Sequence, residues 1–416
     1  MHVLGIVNMN EAERKKRGVL AVVGSSVAIF WPGALIFGFP GVMGPYWQKL
    51  FGVGRGAIGN TLFFVLAASG FFMFFVGRWQ ERYGIKRMIT IGSILCSLSL
   101  LVIAYASSLY LLYFWAFLIG TSICFIYIPS LTTVQRWYPG KRGLVSGIVN
   151  LLFGFSAAIM SPVFNYMLKS MGYLSMNIAV AIVSLVVGIV AARFTEGPEG
   201  FQSSPRSGSK GEVKPTVETS ESLNVKESLR TKSFWFLWLT WALQGAAGIA
   251  MVTLSTAFGL SRGFDMESAV VVLTAFNITN GLGRLAMGYL SDLMGRNLAM
   301  SITFLAAGGA YFVLPHMNSL TAISVLAAII GFGFGTLFAV SAPLAADCFG
   351  LTHFGAIFGL VFTAYGFVAG ALGPSLSGYL LDMTSGNFIV VFTYLGIFCV
   401  LSGIFIRFVV RPVVRK

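Results

Sequence analysis

Twelve stretches of this chain are each as long and as apolar as a bilayer's hydrocarbon core requires of a helix, roughly 20 residues. They run over about 18–46, 57–80, 88–107, 109–135, 143–168, 173–194, 234–261, 267–290, 298–315, 319–346, 354–382 and 387–408. In hydrocarbon a backbone has no water to bond with, so such a run must satisfy its N–H and C=O groups internally, as a helix. Composition agrees. Of the 416 residues 56% are hydrophobic and 10% are charged, against about 25% charged in soluble domains. The sequence reads as an all-α integral membrane protein with twelve transmembrane helices. Arg14-Lys15-Lys16-Arg17, just before the first run, resembles the basic start of a signal peptide. The run is too long for a signal peptide's apolar core and no small-x-small cleavage site ends it, so a retained first helix is expected.

A net charge of +14 invites a nucleic-acid reading, but the distribution of the charge argues against one. All 28 Lys and Arg except Lys49, Arg55, Lys169, Arg262 and Arg284 fall in the N-terminus, the 2/3, 4/5, 6/7 and 8/9 connections or the tail. That is the positive-inside pattern. It places both termini in the cytoplasm of a cell (plasma or inner) membrane protein, with the lipid bilayer and not nucleic acid as its surroundings. Cys96, Cys124, Cys348 and Cys399 lie in or at the ends of predicted helices, and His2, His316 and His353 are scattered through tail and loops. Neither set has metal-ligand or disulfide spacing, so no metal, cofactor or enzyme chemistry is expected.

Hydropathy breaks once, over 196–232, where Ser, Gly, Pro, Glu and Lys predominate and cannot bury a core. The chain therefore divides into a tail (1–17), a six-helix bundle (18–195), a cytoplasmic linker (196–232), a second six-helix bundle (233–408) and a short tail (409–416). The end of the linker, SLNVKESLRTKSFW, has the pattern of a short amphipathic helix. The halves repeat. The second run ends GRWQERYGIKR (77–87) and the eighth ends GYLSDLMGRN (288–297), an offset of 211 positions. The fifth and eleventh runs align at 212 through Gly147 and Gly359, Gly154 and Gly366, and Pro162 and Pro374. Two independent motifs at nearly one offset imply six-helix units repeated in parallel about a pseudo-twofold axis, an arrangement known among transporters.

These loops, Gly-x-x-x-Glu-x-Tyr-Gly-x-Lys-Arg and Gly-x-x-x-Asp-x-x-Gly-Arg, resemble the signature loop of the major facilitator superfamily. RWYPGKRGLVSG (136–147), LRTKSFW (229–235) and NITNGLGRLAMGYLSD (277–292) resemble the branch that contains monocarboxylate transporters and the oxalate/formate antiporter. The resemblance implies rocking of two bundles by alternating access. It also implies a cytoplasmic gate built from Gly77, Glu81, Arg82, Gly84, Gly288, Asp292, Gly295 and Arg296. Physically, the glycines permit tight turns, and Glu81 and Asp292 can face the positive ends of the fifth and eleventh helices.

Arg284 is the one cation inside a run and more than two residues from its ends. No Asp or Glu falls in the middle of any run, and a buried charge requires a partner. A substrate carboxylate suits the guanidinium fork, whereas capping of backbone carbonyls or snorkelling toward the inner surface is the plainer alternative. Asn280 lies one turn earlier on the same face and Asn277 close to it. Monocarboxylate transporters carry an acid at the position of Asn280, and animal members carry a lysine at that of Gly41, after the Phe39-Pro40 pair. The antiporter has a second cation where this chain has Phe362 or Thr363. One fixed cation matches one carboxylate, which favours a small monocarboxylate anion over a dicarboxylate, and the resemblance implies the L-lactate or pyruvate type. Helix position adds Tyr127, Tyr365 and Gln244 as candidate hydrogen-bonding groups and Leu35, Phe338 and Phe362 as candidate apolar walls. The resemblance favours proton-coupled symport, with Asp382 and Asp265 as candidate proton carriers, over anion exchange of the oxalate/formate type. The sequence leaves oligomeric state open, and a monomer is compatible with it.

Overall fold

The computed structural model describes residues 11–138, 142–197, 223–350 and 354–412, without the side chains of Phe74, Arg78, Glu81, Gln135, 142–144 and 354–356. Most of the predicted linker, the extreme tails, His2 and His353 thus lie outside the described residues. Among these residues there are helices and short connections and no strand.

The first crossing, α1, has two parts, Glu11–Phe37 and Phe39–Phe51, with Gly38 between them. Pro40 lacks an N–H for the Ile36 carbonyl, which accounts for a break here. The helix begins before the expected residue 18, taking in the basic cluster, where Arg17 pairs with Glu13 one turn back at 2.9 Å. Next come α2 (Arg55–Tyr83), α3 (Ile85–Ala104) and α4 (Leu109–Trp137). Arg142–Ala192 is one continuous stretch that turns at Gly172, φ +78°; we number its parts α5 (142–171) and α6 (173–192). Among the described residues eleven helices are long and apolar enough to span a membrane. This one has the length of two, so the twelve crossings expected are present.

The linker's end forms the short helix Val225–Leu229, its first turn closed by reciprocal bonds between Asn224 and Glu227 in a capping box. The second bundle comprises α7 (Lys232–Ser261), α8 (Met266–Met294), α9 (Arg296–Val313), α10 (Leu320–Phe349), α11 and α12 (Phe388–Phe405). The eleventh crossing is irregular. Phe354–Thr363 leads into two π-helical segments, Ala364–Ala369 and Ala371–Ser375, before Leu376–Met383. The second of these contains Pro374, which cannot donate to the ladder, and π-turns often accompany functional positions.

The bundles meet along α5 with α8 and α2 with α11, and through the second half of α1 with α7. Small residues permit the contact, as expected where apolar surface alone gives helices no reason to associate. A Cβ at Gly154 would lie 3.1 Å from the Cα of Gly281, and one at Gly366 only 2.7 Å from the Cα of Gly70. These two crossings are each other's repeat equivalents, since Gly70 and Gly281 are 211 residues apart and Gly154 and Gly366 are 212 apart.

The side bearing Lys86, Arg87, Arg136, Arg193 and Arg296 is the basic side. On the opposite side bonds join the bundles. The Asp382 carboxylate accepts from the backbone N–H groups of Arg55 and Gly56 at 2.9 and 2.8 Å, and Asn60 donates to the Tyr379 hydroxyl at 2.8 Å. Lys169 also reaches Glu267 at 3.5 Å. Toward the basic side, Gly77, Gly147, Gly288 and Gly359 each face open space. Among the described residues, bonds thus tie the two bundles together at the far side, while these four glycines of the basic side have no neighbour within 4 Å.

Candidate functional site

The site is built around α8, where Arg284 is 2% exposed. Glycines let α10 press against the backbone of α8: Gly331 meets the Phe276 carbonyl and Gly335 the Asn280 carbonyl, while Gly283 of α8 meets Phe332. The arginine side chain then extends toward the seam between the bundles, and its Nε lies 3.4 Å from where a Cβ of Gly154 would stand. Asn280 holds one edge of the guanidinium, its Oδ1 accepting from Arg284 Nε at 3.4 Å. Asn277 instead bonds across the seam, its Nδ2 donating to the Phe37 carbonyl at 3.1 Å beside the break in α1.

Three rings surround the cation. The guanidinium carbon sits 4.4 Å from the ring centre of Phe338, 5.3 Å from that of Phe153 and 5.6 Å from that of Phe37. Each such contact contributes about 0.5–2 kcal/mol according to its desolvation. Together they are of the same order as the roughly 2.5–3.5 kcal/mol that an arginine costs at a helix centre on insertion scales. Among the described residues no carboxylate pairs with Arg284. Its Nη1 and Nη2 have no protein acceptor, and neither Asn280 Nδ2 nor the Tyr365 hydroxyl has a partner. Unsatisfied buried donors around a fixed positive charge are chemically suited to an anion.

The same three rings line a narrow cavity between the bundles, together with Ile36, Leu66, Ser69, Met73, Ile123, Tyr127, Phe362 and Tyr365. Tyr127 donates its hydroxyl proton to Asn150 Oδ1 at 2.9 Å. The cavity wall is therefore mainly hydrocarbon and aromatic, with Tyr127 and Tyr365 as its phenols.

Of the residues singled out in the sequence, Tyr127, Tyr365, Phe338 and Phe362 line this cavity, while Arg284 stands against its rings and Asn280 is bonded to Arg284, neither of them lining it. Leu35 and Gln244 do not line it either. Leu35 is fully buried in the core while its neighbours Ile36 and Phe37 line the cavity. Gln244 points into its own bundle beside Gly333 and Cys399. Thr363, the alternative to Phe362, bonds to Leu360 and Trp238. Phe37 and Phe153 were not anticipated, although Phe153 directly precedes the repeat glycine Gly154 and could have been sought on that ground. The place of a helix 1 lysine is also explained, because a side chain at Gly41 would run into the Val252 carbonyl of α7.

Asp265 caps α8, accepting from Ser268 N at 3.1 Å. Hydrogen bonds from Ser268 hold its carboxyl below the usual carboxylate range. At the repeated loops, Gly84 and Gly295 have nearly the same positive φ, +86° and +87°, a conformation that favours glycine. Asp292 pairs with Arg296 at 3.1 Å, and Arg296 also pairs with Asp347 of α10. These pairs lie inside the second bundle. Arg82 rests on Tyr83 at 5.4 Å, and the side chain of Glu81 lies outside the described part.

Comparison with known proteins agrees with this architecture. The sequence profile of the Major Facilitator Superfamily matches residues 26–273 and 269–416. The oxalate:formate antiporter of Oxalobacter formigenes is 25% identical, over 69% of this chain and 67% of its own. Monocarboxylate transporter 11 of Mus musculus is 27% identical, over 79% of this chain and 72% of its own. A bacterial homologue of the human lysosomal transporter Spinster, solved in an inward-facing and unoccupied conformation, superposes with a TM-score of 0.69 at 14% identity, covering 96% of both chains. That likeness bears on the fold alone. The multi-pass helical chain, its parallel repeat and the profile match lead to one conclusion: this protein belongs to the Major Facilitator Superfamily.

Proposed function

We propose that the chain is a secondary transporter of short monocarboxylates of the L-lactate or pyruvate type. The substrate carboxylate binds the Nη1 and Nη2 edge of Arg284, and its small organic part lies in the aromatic cavity. The observation that carries this reading is a buried guanidinium at the bundle seam whose two terminal nitrogens have no protein acceptor. Tyr365 and Asn280 supply further donors, and Phe338 and Phe362 limit substrate size. The curated relatives include monocarboxylate transporters, which supports the substrate class. Both termini lie on the cytoplasmic side in this reading, and transport proceeds by rocking of the bundles with the gate loops parting and closing.

Coupling to a proton is part of the proposal, with Asp382 as the carrier. Its carboxylate bonds two backbone N–H groups across the bundle seam, so protonation would weaken a contact that holds the far side shut. Asp265 suits the role less well, because it bonds Ser268 of its own helix and does not join the bundles. The rival is anion exchange of the oxalate/formate type. It is disfavoured because Phe362 fills the second cation's place, and one cation matches one carboxylate.

Uptake of labelled lactate, pyruvate, acetate and oxalate into proteoliposomes, with and without an imposed proton gradient, tests both points. Lactate or pyruvate uptake that rises with the gradient is expected and is lost in Arg284→Ala. Normal lactate uptake by that variant would exclude the site. Uptake that requires internal anion and ignores the gradient would favour the exchanger.

A further inference from the structure

A carrier whose binding group is a permanent cation faces a difficulty once its anion has left. Guanidinium does not deprotonate at physiological pH, so the charge must cross the seam alone or wait for another anion. Carriers of the second kind exchange but do not perform net transport. The surroundings of Arg284 bear on which kind this chain is.

A carboxylate meets guanidinium along its N–H edge, in the plane of the fork. An aromatic ring meets a cation through its π face and uses no N–H proton. Around Arg284 these two sets of positions are separate. Nη1 and Nη2 lack acceptors, while Phe37, Phe153 and Phe338 stand 5.6, 5.3 and 4.4 Å from the guanidinium carbon. The rings are themselves held. Phe37 meets Phe153 edge to face at 5.1 Å, Tyr127 packs on Phe153 at 5.3 Å, and Trp241 meets Phe338 at 5.1 Å.

The rings are also divided between the bundles. Phe338 lies in the bundle that carries Arg284 and travels with it. Phe153 belongs to the other bundle, next to Gly154, where α5 and α8 approach most closely. A rocking motion displaces such a crossing less than it displaces the helix ends. Phe153 can therefore keep its contact while the bundles move.

We infer that Phe37, Phe153 and Phe338 are positioning residues that hold the Arg284 cation after the anion departs, so that the empty carrier returns and net transport is possible. The inference rests on Arg284 being the carboxylate site. It assigns the rings to a step that substrate binding does not report, the return of the unloaded protein.

The test compares two fluxes in one preparation. Proteoliposomes are loaded with labelled lactate, and efflux is followed into buffer without substrate and into buffer with unlabelled lactate, at the same pH on both sides. The ratio of net efflux to exchange is independent of how much protein folded. In Phe153→Leu and Phe338→Leu this ratio is expected to fall about tenfold, as for loss of one desolvated cation–π contact. Phe153→Tyr, which keeps a π face, is expected to restore it. An unchanged ratio in both leucine variants, or a wild-type protein that exchanges without net efflux, would overturn the inference. Retained saturable exchange in Arg284→Ala would instead overturn the carboxylate site on which it rests.

Discussion

A Cβ on Gly154 would stand 3.1 Å from the Cα of Gly281 and 3.4 Å from the Nε of Arg284, so the two bundles touch backbone to backbone beside the buried cation. The repeat-related contact of Gly366 with Gly70 is tighter still, at 2.7 Å. Both glycines face backbone atoms, which cannot step aside as a side chain can, so a methyl group is expected to be worse tolerated at Gly366, where the contact is shorter. Overpacking of this kind costs about 1–3 kcal/mol. Gly366→Ala should lower the thermal midpoint of the detergent-purified protein more than Gly154→Ala, and both should slow uptake. Equal midpoints for wild type and Gly366→Ala would show that this contact is not tight.

Arg284→Lys retains the charge but not the fork. Loss of hydrogen bonds to a charged group is worth about 1.5–3 kcal/mol, so an apparent affinity for lactate weaker by about 10- to 100-fold is expected from competition between labelled and unlabelled substrate. Wild-type affinity in this variant would mean that a point charge suffices.

Asp382 bonds the backbone N–H groups of Arg55 and Gly56 from the other bundle. Removing such a cap costs about 0.5–2 kcal/mol, less where solvent screens it. In Asp382→Ala the far side should open more often. A cysteine introduced as Ser375→Cys, at a buried position close to Gly59 of α2, should then react faster with a membrane-impermeant thiol reagent. The native cysteines are buried and contribute little background. Labelling no faster than in the Asp382 parent would remove the carboxylate from the closure of that side.

Asp265 has a depressed carboxyl pKa because it accepts from Ser268. A depressed value means the charged cap contributes fully above the ordinary 3.8 and is lost only as pH falls through the lowered value. Asp265→Asn, which can still cap, is therefore expected to leave the dependence of uptake unchanged between about pH 5 and 8. A displaced pH profile would return Asp265 to the coupling problem.

Much of this was legible in the sequence because hydropathy and repeats are long-range signals. The twelve crossings, the repeat and the cation at Arg284 all follow from patterns tens of residues long. The breaks were not so visible. The breaks at Gly38 and around Pro374 accompany prolines, but Pro32, Pro45, Pro129 and Pro343 lie inside helices that continue past them, so a proline alone does not single out a break. The aromatic surround was half legible for a related reason. Phe338 was found from its helix, whereas Phe37 and Phe153 lie 116 residues apart and meet only through packing of α1 on α5. Gln244 shows the opposite failure, since its helix was right but the side chain turned inward.

The division of α1 at Gly38 has a mechanical consequence. Beyond the break, Phe39–Phe51 is 13 residues long, an arm of about 20 Å at 1.5 Å per residue. A bend of only about 10° at Gly38 would swing the far tip by roughly 3.5 Å, nearly the spacing of two packed carbon atoms. Phe37 sits at the fulcrum of that arm, with its carbonyl tied to Asn277. A small change in angle beside the cation would thereby be amplified into a several-ångström displacement at the end of the helix away from the basic side.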